Sequence, residues 1–314
     1  MKLLTVILNY KTAKMTLEAV EAAVDALNHF TSEWQMTIVD NDSRDGSYDI
    51  LKQAVSIKEN SSWKKVKVVE SGHNGGFGAG NNFAMKPALE LDSPPEYIYI
   101  LNSDAFPDVT AIEILVNYLE ENPKVGIAGS YIHGTDNVPH ETAFRFPTIY
   151  SEFEASIGIG IVSRVLKNYV VALDIPEATR KVDWLAGASM MLRSSMLREV
   201  GLFDEDYFLY FEETDLCKQA ARKGWDTVYV KESRVAHIGS ASTGSKTWQR
   251  IPDYWLDSRS YYYQKNHGRA YSNVATIIRL LGGIVWQVKR RIQGKPDVMP
   301  PNFLVDLFKH WIKQ

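Results

Sequence analysis

The first 130 residues alternate short runs that are apolar at nearly every position with longer stretches in which apolar residues recur every three or four. Residues 3–8 (LLTVIL) form such a run, of strand length and rich in β-branched side chains. After it, Leu17, Val20, Val24 and Leu27 fall on one face of a helix. Residues 36–40 (MTIVD), 66–70 (VKVVE), 97–101 (YIYIL) and 125–129 (VGIAG) predict further strands. Between them lie helices at 45–55, opening on Asp and Ser caps, near 78–90, after a glycine-rich turn, and near 109–121. Strands apolar on both faces and separated by helices belong to a mostly parallel, Rossmann-like α/β sheet covered on both sides.

What terminates these strands points to the site. Their carboxyl ends carry Asn9-Tyr10, Asp40-Asn41-Asp42, Ser71-Gly72-His73-Asn74 and Asn102-Ser103-Asp104. In such sheets ligands bind at that edge. Beyond about residue 130 the pattern loosens. Residues 144–176 carry apolar residues without a clean period and are read as a mobile or acceptor-side segment. Residues 182–201 predict a strand and a helix, 212–223 a helix, and 226–239 a strand. No repeat or low-complexity tract is present.

A chain of 314 residues with 45% apolar and 23% charged residues is an ordinary globular protein long enough for a large core. Thirty-five basic and 38 acidic residues leave a net charge of −3, with no basic field for nucleic acid. Cys217 is the single cysteine, which excludes an intrachain disulfide and a Cys-rich metal site and fits a reducing compartment. The apolar core of MKLLTVILNYKTAK is too short for a signal peptide, and no uncharged run is long enough to span a bilayer. The expectation is a cytoplasmic protein.

Several acids and one histidine are candidates for chemistry, each with a simpler explanation beside it. Asp104 ends a core strand and is explained equally as a cap or as an oxygen ligand for Mg²⁺ or Mn²⁺, with Asn102 two residues back facing the same point. His237, at the end of a predicted strand, is either structural or a further cation ligand. Glu212, Glu213 and Asp215 open a helix, where the helix dipole alone accounts for acids. The preceding YFLYF (207–211) would surround them with aromatics, raise their pKa and suit them to general-base work. Asp40 either caps the NDSRDGS turn or accepts a hydrogen bond from the imide N–H of a pyrimidine. HNGGFGAGNN (73–82) departs from the dinucleotide fingerprint because Asn81 stands where its last glycine belongs. GSASTGSKT (239–247) departs from a P-loop, with Ser245 in the lysine position.

Taken together, VILNYK with VDNDSRDGS, HNGGFGAGNN, LNSDA, WLAGASMMLR, FDEDYFLYFEETDLC and AHIGSAS resemble, in order and spacing, the inverting glycosyltransferases of family 2, with the GT-A fold. The likeness spans residues 3–242. HNGGFGAGNN, DEDYFLYFEETDLC and SRSYYYQKNHG (258–268) resemble rhamnosyltransferases using dTDP-L-rhamnose. The resemblance implies that Asp40 reads the pyrimidine, with Asn9, Tyr10, Asn41 and Asp42 near it, and that Asn74, Gly76 and Asn81 line the nucleotide-sugar side. LNSDA would be the D-x-D-like metal motif, with Asn102 and Ser103 beside the diphosphate and Asp104 and His237 holding Mg²⁺ or Mn²⁺. Trp184, Gly187 and Ala188 would border the acceptor. The motif's first acid is Asn102 here, and Glu212-Glu213 replaces the usual Glu-Asp. The base implied is Glu213, with Glu212 and Asp215 as alternates, in a single displacement with inversion.

The domains implied are a catalytic unit at 1–245, with a nucleotide-sugar half (1–130) and an acceptor and catalytic-base half (131–245), and a helical extension at 246–314. Within the extension, a helix at 273–295 puts Ile277, Leu281, Ile284 and Val288 on one face and Lys289, Arg290, Arg291 and Lys295 at its end. The simpler reading packs it on the catalytic unit. The other lays it on an anionic membrane, peripheral at the inner face of the plasma membrane, facing a lipid-linked acceptor. The partners implied are dTDP-rhamnose and a glycan or lipid-linked acceptor of a bacterial surface polysaccharide. Another donor, such as a UDP-hexose, or a non-catalytic sugar-nucleotide-binding module is the alternative.

Overall fold

The computed structural model describes every residue except 59–60, 240–247 and 298. Its strands are β1 (Leu3–Asn9), β2 (Trp34–Asp40), β3 (Val66–Glu70), β4 (Tyr97–Asn102), β5 (Ala105–Pro107), β6 (Val125–His133), β7 (Ala143–Phe144), β8 (Arg180–Val182), β9 (Trp184–Leu185), β10 (Ser189–Arg193) and β11 (Asp226–His237). The helices are α1 (Ala13–Asn28), α2 (Ser47–Ser56), α3 (Gly76–Leu89), α4 (Ala111–Glu121), α5 (Ile149–Ile157), α6 (Gly160–Val165), α7 (Ser194–Val200), α8 (Glu212–Arg222), α9 (Asp253–His267), α10 (Arg269–Gln293) and α11 (Phe303–Trp311).

The central sheet runs β3-β2-β1-β4-β10-β6-β11-β5, with β8 on the side of β11. The first four strands are parallel, as their unbroken apolar character requires. β10 enters antiparallel between β4 and β6, and β5 runs antiparallel to β11. One core layer lies under α1 and α4, built around Val20, Leu27, Ile112 and Leu115. The other lies under α3, α7 and α8, around Met85, Met196, Leu197 and Leu216.

Register explains why distant residues meet. Asn9 lies opposite Asp40, Asp40 opposite Glu70, and Leu8 opposite Asn102, so the polar strand ends form one row. Because β10 is antiparallel, its amino end reaches that same edge, and the Asn102 N–H donates to the Ala188 carbonyl at 3.0 Å. β11 pairs His237 with Ala105, the residue after Asp104.

Three expectations change. The glycine-rich turn ends earlier than expected, and the helix after it already starts at Gly76. Its glycines admit close neighbours: a methyl at Gly76, whose φ is +90°, would fall on the Phe208 carbonyl, and one at Gly80 on the Leu8 side chain. Residues 144–176 are not irregular throughout. They contain α5, closed by a capping box between Thr148 and Ser151, and α6, and α5 packs along α10. The extension holds three helices where one was predicted, α9 and α11 flanking α10. The boundary at 245 and GSASTGSKT beyond Gly239 lie outside the described residues. Among the described residues, no helix is long and apolar enough to cross a membrane.

Candidate active site

At the carboxyl edge of the sheet opens a cavity of about 470 Å³. That is the size of a small-molecule site. Tyr10, Asn41, Asn74 and Gly76 form one side, and Asn102, Ser103, Asp104 and His237 the floor. Gly187 and Ala188, with Glu212 and Glu213, close the other side.

The floor centres on an ion-pairing geometry. The Asp104 carboxylate lies 3.0 Å from His237 Nε2 through Oδ1 and accepts the Gly239 N–H at 3.1 Å through Oδ2. Asn102 Nδ2 approaches the same imidazole nitrogen at 3.5 Å. An oxygen and a nitrogen donor side by side suit Mg²⁺ or Mn²⁺, whose remaining positions water and phosphate oxygens can fill. No third His, Cys, Asp or Glu completes a metal cluster among the described residues.

The opposite wall is built differently. α8 starts after two bulky residues in the left-handed region, Tyr210 (φ 69°) and Phe211 (φ 71°). A non-glycine residue there is strained by roughly 1–2 kcal/mol. The turn aims Glu212 and Glu213 at the cavity. Oε2 of each is buried with no hydrogen-bond partner. Burial raises both pKa values. For Glu212, only 2% exposed, burial acts first and the neighbouring Glu213 charge adds to it. For Glu213, burial is opposed by backbone hydrogen bonds, one from Gly187.

Other predicted residues stand behind the cavity. Asp40 is only 1% exposed and off the cavity wall. Its Oδ1 accepts from Asn9 Nδ2 (2.6 Å) and the Ser43 hydroxyl (2.7 Å), and its Oδ2 from the Ser43 N–H (3.0 Å). The carboxylate thus faces its own turn and Asn9. Asn9 is held from its other side by the Thr16 hydroxyl at 2.6 Å. Asp42 turns to Arg44 at 2.7 Å. Asn81 lies inside α3, donating to the Phe77 carbonyl. Asp215, an alternate base, faces away: it accepts from Lys265 and Asn266 of α9 at 2.5 and 2.7 Å. Trp184 stacks on Phe144 with ring centroids 4.1 Å apart and lines a side cavity of about 240 Å³. Glu213 borders both cavities.

Sequence reasoning assigned no role to Phe77 and Tyr254, which wall the main cavity together with Phe208. The aromatic run at 207–211 was the available signal, but it divides. Phe208 and Tyr210 face the cavity, whereas Tyr207 is fully buried against Tyr261.

A profile described as glycosyl transferase family 2 matches residues 5–168, and one described as glycosyl transferase family group 2 matches residues 97–290. The chain belongs to glycosyl transferase family 2. Among curated family members, it is 26% identical over 214 residues to N-acetylglucosaminyl-diphospho-decaprenol L-rhamnosyltransferase of Mycobacterium tuberculosis, covering 66% of this chain and 67% of that one. It is 28% identical over 164 residues to rhamnosyltransferase WbbL of Escherichia coli, covering 52% of this chain and 60% of that one. In fold it resembles mannosyltransferase PcManGT from Pyrobaculum calidifontis, solved with GDP-Man and Mn²⁺, at a TM-score of 0.59 and 11% identity over 99% of this chain and 86% of the other. The family 2 chain thus has the GT-A fold and a C-terminal helical region, and it is a glycosyltransferase.

Proposed function

We propose that this glycosyltransferase moves L-rhamnose from dTDP-L-rhamnose to a glycan or lipid-linked acceptor of a cell-surface polysaccharide, with inversion at the anomeric carbon. The observation that carries the reading is the meeting of the Asp104–His237 pair with Glu213, whose Oε2 has no hydrogen-bond partner, across one cavity. The choice of rhamnose is supported by the two relatives named as rhamnosyltransferases.

Tyr10, Asn41, Asn74 and Gly76 take the nucleotide side. Asn9, Asp40, Asp42 and Asn81 hold that wall in shape from behind, and Asp40 reaches a base only if the Ser43 turn opens. Asn102 and Ser103 lie beside the diphosphate. Asp104 and His237 would hold Mg²⁺ or Mn²⁺, which neutralises charge on the departing diphosphate. Gly187 and Ala188 border the acceptor, and the side cavity at Trp184 extends its path to Glu213. There the raised pKa makes Glu213 the stronger base for the acceptor hydroxyl, which attacks from the face opposite the leaving group. Residues 1–245 form the catalytic unit, and 246–314 the extension.

A donor panel with the purified chain and Mn²⁺ tests this. dTDP-rhamnose should be consumed in preference to UDP-hexoses. Glu213→Gln should still bind dTDP by calorimetry while losing transfer, and transfer at the wild-type rate would remove the proposed base.

A further inference from the structure

α10 is packed inside out. The face it buries consists of Ser272, Ala275, Thr276, Gly282, Gly283 and Trp286. The two glycines are needed there, because a methyl at Gly282 would fall on the Ser156 hydroxyl and one at Gly283 on Leu304. The face it exposes carries Ile277, Leu281, Ile284, Val288 and Ile292 at spacings of four, three, four and four, with Leu281 58% and Ile292 81% exposed. The simpler sequence reading put that aliphatic stripe against the catalytic unit. The structure turns it outward.

A helix normally buries its aliphatic stripe and shows its small and polar residues to water. Here the small residues let α5 and α11 approach closely, and the aliphatics are left uncovered among the described residues. α11, packed on α10, adds exposed Val305, Phe308 and Ile312. Exposed aliphatic stripes of this kind mark an interaction surface.

Charge decides the occupant. Residues 269–314 hold eight basic residues and two acidic ones, on a chain whose overall net charge is −3. Arg291, Lys295, Lys309 and Lys313 are exposed and have no carboxylate within ion-pair distance among the described residues. They stand at the ends of the two apolar stripes, the order in which an interfacial helix meets acyl chains and anionic headgroups. A second copy would bring the same positive charges face to face.

We propose that the α10–α11 face docks on an anionic membrane surface, with the aliphatic stripes in the headgroup–acyl boundary and the four basic side chains on lipid phosphates. This goes beyond the transfer reaction and stands whichever sugar is moved.

Flotation of the full chain with phosphatidylglycerol-containing and with pure phosphatidylcholine liposomes tests it. The chain should float with the anionic vesicles and bind neutral ones at least tenfold more weakly. Neutralising each basic residue should weaken partitioning roughly fivefold. The triple variant L281D/I284D/V288D, altered only at exposed positions, should lose flotation while keeping the wild-type melting curve and dTDP affinity. Absence of flotation by the folded wild type, or flotation of the triple variant equal to wild type, overturns the proposal. So does a dimer in light scattering that the triple variant dissolves without any liposome binding, which assigns the face to a second copy. Loss of membrane binding with dTDP affinity intact separates this idea from the assignment of the donor site.

Discussion

On the wall built from the parallel strands, polar side chains arrive already paired. Asp40 is satisfied by Asn9 and Ser43, Asn41 donates to Asn74 at 3.0 Å, and Asp104 sits against His237. On the α8 wall, Glu212 and Glu213 each retain a buried oxygen with no partner, behind two residues in left-handed backbone. The first wall is a preformed cradle, whereas the second stores unfavourable electrostatics. A buried acceptor without a donor costs about 1–3 kcal/mol. Two such groups on one wall fit the general base proposed above.

The contrast can be broken at its most reactive point first. Glu213→Gln should lower transfer by about 10²–10⁴-fold, the usual contribution of a general base, with nucleotide affinity nearly unchanged. If Glu212→Gln has that effect instead, Glu212 is the base. Gly76→Ala should be next. It forces a side chain at φ +90° onto the Phe208 carbonyl and so separates the two walls. A loss of about 2–3 kcal/mol in urea unfolding is expected, with weaker nucleotide binding. A smaller effect should follow from His237→Ala, which removes the imidazole beside Asp104. The Mn²⁺ concentration for half-maximal activity should rise about 10–100-fold, and unchanged metal dependence would take His237 out of the donor set.

The smallest change should run the other way, towards stability. Because the folded pKa of Glu212 is raised by burial, the native chain holds a proton that the unfolded chain has released. Stability from this group is therefore complete below the ordinary glutamate pKa and falls as pH rises towards the folded value. Glu212→Gln should stabilise the chain at neutral pH by on the order of 1 kcal/mol and flatten the melting temperature against pH above the ordinary glutamate range. A variant that melts lower than wild type at neutral pH would show that Glu212 is better accommodated than its missing partner implies.

Much of the site was legible along the chain because strand ends in a parallel sheet share one edge. Asn102, Asp104 and Asn41 could be placed there from strand pattern alone. Glu213 was readable as a helix-opening acid after an aromatic run, but not as an unpaired one. Asp215 offered the same local signal two residues later. Only its position on α8, turned towards Lys265 and Asn266, sets it apart. Asp40 left two readings open for a similar reason. A strand-ending acid announces polarity, but whether its carboxylate faces a ligand or its own turn depends on Ser43 and Asn9.

The extension shows the limit most plainly. Periodicity in 273–295 established a helix with one aliphatic face, and it could not say which face would be covered. The glycines at 282 and 283 lower intrinsic helicity, by roughly 1 kcal/mol each, and in the structure they are where α5 and α11 come closest.

By itself the sequence determined the alternation of strands and helices, the polar edge of the sheet and the acids that open α8, because each follows from spacings of a few residues. The tertiary structure alone decided which acids keep a free oxygen, that Asp104 meets His237 from 133 positions away, and that α10 turns its aliphatic stripe outward. Those outcomes depend on which surfaces exclude water together, and exclusion is set by packing between segments far apart along the chain.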